Sequence, residues 1–250
     1  CLNVVLDLIL IINFKMGVAG AAWATNLSQA ISAVLCAVYI YKKVPALMPE
    51  KLHWRFHKGD TRYQLATGIP MALQFAITSS GTMVMQSAIN LFGSEAVAAY
   101  TAAGKIHGLL TQGMVAMGQT MAVYSGQNYG KGDAGRIRQG VRAALIIEVI
   151  YSVASAVVVS AALGPSLGLF FSGEVDLAAM MPWARTYTTI CTLFYVPLCT
   201  IFIFRNTMQG CGYGFLPMMG GVVELAARLI VAVIAMDIHS YWLACACDPA

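Results

Sequence analysis

The sequence predicts an all-α protein, a polytopic bundle of transmembrane helices, on three observations. Charge is scarce: 10% of the 250 residues are charged and 59% are hydrophobic, against about 25% charged in a soluble domain. Apolar runs recur at 17–41, 64–91, 95–124, 138–163, 178–204 and 216–236, each reaching the roughly 20 residues that cross a bilayer core as helix. The connections alternate in charge. Lys42, Lys43, Lys51, Arg55, Lys58 and Arg62 fall between the first two runs, Lys131 and Arg136 between the third and fourth with Arg138 and Arg142 at the start of the fourth, and Arg205 after the fifth run. The intervening connections hold only Lys15 among basic residues, so the basic connections share the cytoplasmic side. A β-barrel would instead show segments of about ten alternating residues.

The opening segment "CLNVVLDLILIINF" is apolar apart from Asn3, Asp7 and Asn13, and at about thirteen residues it is too short to span. The final segment, ending "ACACDPA", stops about ten residues into another apolar stretch. Both ends therefore read as cuts within a longer polypeptide. The polar stretch 41–62, with Pro45 and Pro49, reads as a linker between two halves. Pro70 and Pro197 interrupt long helical patterns and allow bends.

Familiar chemical motifs are not met. His53 and His57 stand i, i+4 but no Cys, Asp or Glu completes a metal site beside them. The glycine-rich loop "SGQNYGKGDAGRIRQG" (125–140) has neither the glycine spacing of a phosphate loop nor Ser or Thr after Lys131. "QGCGYG" (209–214) has no strand before it, as a dinucleotide loop requires. The seven cysteines are odd in number and lack a CxxC pair, so they read as small packing residues. No clustered catalytic set is evident, and an enzyme is not expected.

The costly residues inside the runs are Asp7, Lys105, Glu148, Arg185, Glu224 and Arg228, with Gln74, Gln86, Asn90, Gln112 and Gln119 as uncharged company. Such groups face a bundle interior or an aqueous cavity; the plainer reading of each is a structural partner or a head that snorkels to the interface. Glu224 and Arg228 stand i, i+4 in the favourable order and are expected to pair on one helix face. Either a structural pair or a cavity-lining pair satisfies that spacing.

Six stretches in order, "GVAGAAWATNLSQ" (17–29), "GIPMALQ" (68–74), "GSEAVAAYTAAGKI" (93–106), "GQNYGKGDAGRIRQG" (126–140), "RNTMQGCGYG" (205–214) and "ELAARL" (224–229), resemble the multidrug and toxic compound extrusion family. The resemblance implies a two-lobe transporter of twelve helices in the plasma membrane, the inner membrane of a prokaryotic cell. Its central cavity would open to alternate sides as organic, often cationic, compounds leave in exchange for Na⁺ or H⁺. On that mapping residues 1–41 end the N-terminal lobe with helices five and six. Residues 42–62 are the cytoplasmic linker, and 63–250 form the C-terminal lobe with its last helix truncated.

The resemblance also assigns residues. Asn3, Asp7 and Thr25 match the amide, carboxylate and hydroxyl of a cation or proton site in one branch of the family, and hard monovalent cations prefer such oxygen ligands. Another branch carries a Glu after its G-x-P, where this chain has Thr78 and no acid. Gln74, Gln86, Asn90, Lys105, Glu224 and Arg228 are the candidate substrate-cavity residues. The implied partners are the lipid bilayer and a small organic substrate, with no nucleic acid, a monomeric protein, and no cofactor beyond the coupling ion. A flippase for lipid-linked precursors has a similar helix layout and would require a strongly basic central cavity.

Overall fold

The computed structural model describes residues 2–44, 56–170 and 177–246, and among them every regular element is helical. The chain divides into two compact units, Cys1–Thr61 and Arg62–Ala250. The linker expected over 42–62 falls largely on residues outside the described ones, as do His53, Cys1 and Cys247.

In the first unit α1 (Leu2–Leu8) runs on as a π-helical turn (Ile9–Asn13), reverses, and packs against α2 (Gly17–Lys43). The reversal uses left-handed backbone at Lys15 and Gly17, with φ of 53° and 56°. The Met16 N–H donates to the Leu10 carbonyl at 3.1 Å. Gly20 follows because a Cβ there would stand 3.2 Å from the Leu10 carbonyl. Lys42 and Lys43 close α2, where cations complement the helix dipole.

The second unit is built around α4. Helices α3 (Lys58–Ile89), α4 (Ser94–Gly130), α5 (Ala134–Phe170), α6 (Leu177–Leu193), α7 (Tyr195–Gly210), α8 (Phe215–Asp237) and α9 (Tyr241–Ala246) follow in order. A 3₁₀ turn at Asn90–Phe92 joins α3 to α4. α4 packs most heavily on α7, then on α5 and α6. The buried positions of its first half are small, with Ala96, Ala99, Ala102 and Ala103 in one core with Ala184, Cys191, Cys199 and the ring of Tyr187.

The outside carries the bulk. Ile146, Ile147, Ile150, Val153, Val157 and Val158 of α5 and Val223, Ile230 and Val233 of α8 are each more than half exposed. Large aliphatic side chains outside and small ones inside is the partition expected where lipid is the solvent and helices associate by close approach. By length and composition α2, α5 and α8 can cross a membrane, as can α6 and α7 taken together as one bent span. The sequence predicts spans at α3 and α4 as well. They are long enough, with 32 and 37 residues, but their polar side chains dilute them: Gln74 and Thr78 of α3 and Gln119 of α4 line cavities instead of meeting lipid.

Three sequence expectations are corrected. The run 178–204 is not one helix: α6 and α7 meet at Phe194 with a bend of 48°. Pro197 has no N–H to give Leu193, and its ring excludes that carbonyl, so the break falls just before α7. Arg205, assigned to a connection, lies inside α7. The loop expected over 125–140 shrinks to Lys131–Asp133, and two of its glycines, Gly126 and Gly140, are packing positions on the flanking helices. A Cβ on Gly126 would stand 3.0 Å from the Gly210 carbonyl, and one on Gly140 would strike the ring of Tyr124.

Both α4 and α7 stop by the same device. The Gly132 N–H donates to Tyr129 O and the Asp133 N–H to Asn128 O, each at 2.9 Å, while Gly212 and Tyr213 repeat the pattern on Gln209 and Met208 at 3.0 Å. These are Schellman closures, with Gly132 and Gly212 left-handed at φ of 78° and 87°. Asp133 Oδ1 then caps α5 by accepting the Arg136 N–H at 3.0 Å. Gly132→Ala forces a Cβ into left-handed backbone and should cost about 1–2 kcal/mol, read as a lowered melting temperature in detergent with binding unchanged.

Candidate cation and substrate sites

In the first unit Asn3 of α1 donates from Nδ2 to Thr25 Oγ1 of α2 at 3.3 Å, and Thr25 Oγ1 donates to the Ala21 carbonyl at 3.0 Å. Asp7 stands one turn from Asn3 on α1, half-buried. Its Oδ1 is shielded from solvent and has no hydrogen-bond partner among the described residues. Amide, hydroxyl and a shielded carboxylate oxygen thus come from two helices joined by one short reversal. A shielded acceptor without a donor suits a proton or a small cation, both of which supply what the protein does not.

In the second unit Glu224 of α8 is the centre of an ion triad. Its Oε1 takes Arg228 Nη2 at 2.9 Å and its Oε2 takes Arg205 Nη2 at 2.8 Å. The helical period pairs Glu224 with Arg228; Arg205, missed by sequence reasoning, is the second partner and ties α7 to α8. All three side chains are largely buried, at 15% exposure for Arg205, 16% for Glu224 and 9% for Arg228. Gln74 of α3 completes the group. With its amide oxygen turned toward Arg205 it accepts from Nε at 3.1 Å and Nη1 at 3.2 Å, and its amide lies 2.8 Å from that of Gln209. The Arg228 stem crosses α3 over Gly81, where a Cβ would stand 2.8 Å from Cδ.

This group borders two neighbouring cavities. One of about 170 Å³ is walled by Gln74, Phe75, Thr78, Arg205, Glu224 and Arg228. The other, about 520 Å³, shares Gln74, Phe75, Phe202 and Arg205 and adds Gln119, Asn206 and Gln209. Gln209 sits one helical turn after Arg205, a polar stripe within "FRNTMQG" that a helical reading of that stretch exposes.

The remaining cavity candidates lie apart. Gln86 donates to Asn90 Oδ1 at 3.1 Å, and Gln86 and Lys105 line a separate cavity of about 310 Å³ with Tyr100, His107 and Tyr187. The structure therefore sorts the six candidates into Gln74, Glu224 and Arg228 on one side and Gln86, Asn90 and Lys105 on the other. Cys191, Cys199 and Cys245 are buried packing residues. In the turn after α7, burial pushes the Cys211 thiol above its usual range, which disfavours a reactive thiolate.

A family model, MatE, matches residues 70–234. The probable multidrug resistance protein YpnP of Bacillus subtilis (strain 168) is 33% identical over 138 residues, 54% of this chain and 30% of that protein. The probable multidrug resistance protein NorM of Thermotoga maritima is 25% identical over 243 residues, 92% of this chain and 50% of that protein. The chain thus spans between about a third and a half of these curated relatives. A solved structure, a mutant of the Vibrio cholerae MATE transporter VcmN, superposes with a TM-score of 0.86 at 19% identity, over 100% of this chain and 55% of that one. That likeness carries the fold.

Proposed function

Because the chain belongs to the MatE family, a family of multi-pass membrane proteins, we propose that it acts in secondary active efflux, expelling small organic compounds across a bacterial inner membrane in exchange for Na⁺ or H⁺. The observation that carries the reading is the Asn3, Asp7 and Thr25 group, with a shielded Asp7 oxygen that no protein donor satisfies. Occupied by the incoming ion, the group gains the missing partner; released, it is left with a shielded, unsatisfied acceptor. That difference gives the ion a grip on the conformational equilibrium, and a ligand shifts such an equilibrium only by its differential affinity.

The coupling step needs nothing covalent. Asp7 takes the charge, and the Asn3 amide and the Thr25 hydroxyl orient it. The names of the relatives, which describe multidrug resistance and export proteins, support drug-like compounds as cargo. In everted membrane vesicles bearing the full-length protein, an imposed Na⁺ or H⁺ gradient should drive accumulation of a fluorescent dye, and collapsing the gradient with an ionophore should stop it. Dye movement that ignores the gradient would overturn antiport.

A further inference from the structure

Glu148 stands on α5, apart from both groups described above. It is 2% exposed, and its Oε2 is shielded with no hydrogen-bond partner among the described residues. Ser152, one turn on and so on the same helix face, is 1% exposed, and its hydroxyl is likewise without a partner. That face is turned into the unit, because Ala144, Glu148, Ser152, Ser155, Val159 and Leu163 are all buried and recur with the helical period. One turn before Glu148, Ala144 joins Met121 of α4 and Ile203 of α7 in one apolar cluster. Three residues after it, Tyr151 lies across Gly113 of α4 and donates to the Leu110 carbonyl at 2.7 Å. Glu148 is therefore enclosed at the seam of α5 with α4 and α7.

The surrounding helices supply no charge to balance a carboxylate there. Glu148 takes part in no ion pair among the described residues. On α4 no charged residue stands between Lys105 and Lys131, and His107 meets Tyr195. The one cation of α7, Arg205, is bound to Glu224 of α8. α6 turns Tyr187 and Cys191 into the main apolar core and leaves Arg185 exposed. On α5 itself Arg136, Arg138 and Arg142 are exposed near its start. The phenols of Tyr124 and Tyr151 and the Cys199 thiol donate to backbone carbonyls. A carboxylate ion without a cation partner is far costlier inside a lipid-embedded bundle than the neutral acid.

We propose that Glu148 is a proton-binding site in its own right, apart from the Asp7 group, loaded with a proton in this packed arrangement and emptied only when α5 parts from α4 and α7. On opening, the carboxyl O–H bond breaks, the proton passes to entering water, and the carboxylate left behind is hydrated. A metal cation needs several converging oxygens, whereas Ser152 and Ser155 offer hydroxyls from the same helical stripe. The site does not depend on what the chain exports. Acid holds the unit packed, and each unit rise in pH makes opening roughly tenfold more favourable over the range in which one proton is released.

The test uses the full-length protein in lipid nanodiscs, in choline buffer at neutral pH. Its infrared spectrum should contain the carbonyl-stretch band of a protonated carboxylic acid, with a component that Glu148→Gln removes and Asp7→Asn does not. An amide has the shape of the neutral acid, so Glu148→Gln should fold and melt no lower than the parent protein. Raising the pH by about two units should lower the melting temperature of the parent by more than that of Glu148→Gln. The proposal is overturned if Glu148→Gln fails to fold, if it removes only carboxylate bands, or if the two proteins respond equally to pH. Loss of the acid band when Na⁺ replaces choline would also overturn it, making Glu148 a metal-cation ligand instead.

Discussion

Gly210→Ala should destabilise the second unit by about 3 kcal/mol or more, the upper end of the range for overpacking. The added Cβ would run into the Ala122 carbonyl of α4, with the Ala122 carbon at 2.9 Å and its Cα at 3.0 Å. The obstacle is backbone on a helix that also carries α5 and α6, so no side chain can swing aside. Elsewhere in a helix the same exchange gains about 1 kcal/mol from propensity. Gly108→Ala is the matched control, because nothing lies within 4 Å of its Cβ. Thermal unfolding in detergent should show a large loss for the first variant and none for the second; similar melting temperatures would disprove the close crossing of α4 and α7.

Asp7→Asn should abolish gradient-coupled efflux while leaving the protein in the membrane at normal abundance. The substitution keeps volume and shape but replaces the charge that attracts an ion. Loss of a contact to a charged group is worth about 1.5–3 kcal/mol, about tenfold to a hundredfold in ion affinity. Asn3→Ala and Thr25→Ala should weaken coupling less, because each removes one neutral oxygen. Dye accumulation in energised vesicles, normalised to protein detected in the same membranes, decides the matter. Undiminished accumulation by Asp7→Asn would remove Asp7 from the coupling step.

Much of the fold is legible in hydrophobic runs: the run 17–41 becomes α2 at Gly17–Lys43, and 216–236 becomes α8 at Phe215–Asp237. The i, i+4 rule pairs Glu224 with Arg228, and the structure has them at 2.9 Å. What escapes the sequence is tertiary. Arg205 reads as a loop cation because its charge ends an apolar run next to glycines, and only its meeting with Glu224 of another helix makes its burial affordable. Gly126, Gly130, Gly135 and Gly140 carry the composition of a loop, yet they lie on α4 and α5. Glycine serves both a turn and a close helix crossing, and one sequence does not separate the two uses. The contact between Asn3 and Thr25 lies across a chain reversal that uses left-handed backbone at Lys15 as well as at Gly17, and a lysine does not announce such a position.

The break at Phe194 sets a mechanical property of the second unit. In an unbroken helix, changing the angle between two segments means stretching or losing backbone hydrogen bonds, and in lipid no water replaces them. Here Pro197 never formed one, and the Phe194 N–H is shared between Ile190 O at 3.3 Å and Cys191 O at 3.2 Å, so one acceptor can take over as the other recedes. The joint between α6 and α7 is therefore compliant by construction, while α7 itself is locked to α4 by the Gly126 and Gly210 contact. A change of angle between α6 and α7 would therefore sacrifice less backbone hydrogen bonding at Phe194 than at any point of an unbroken helix.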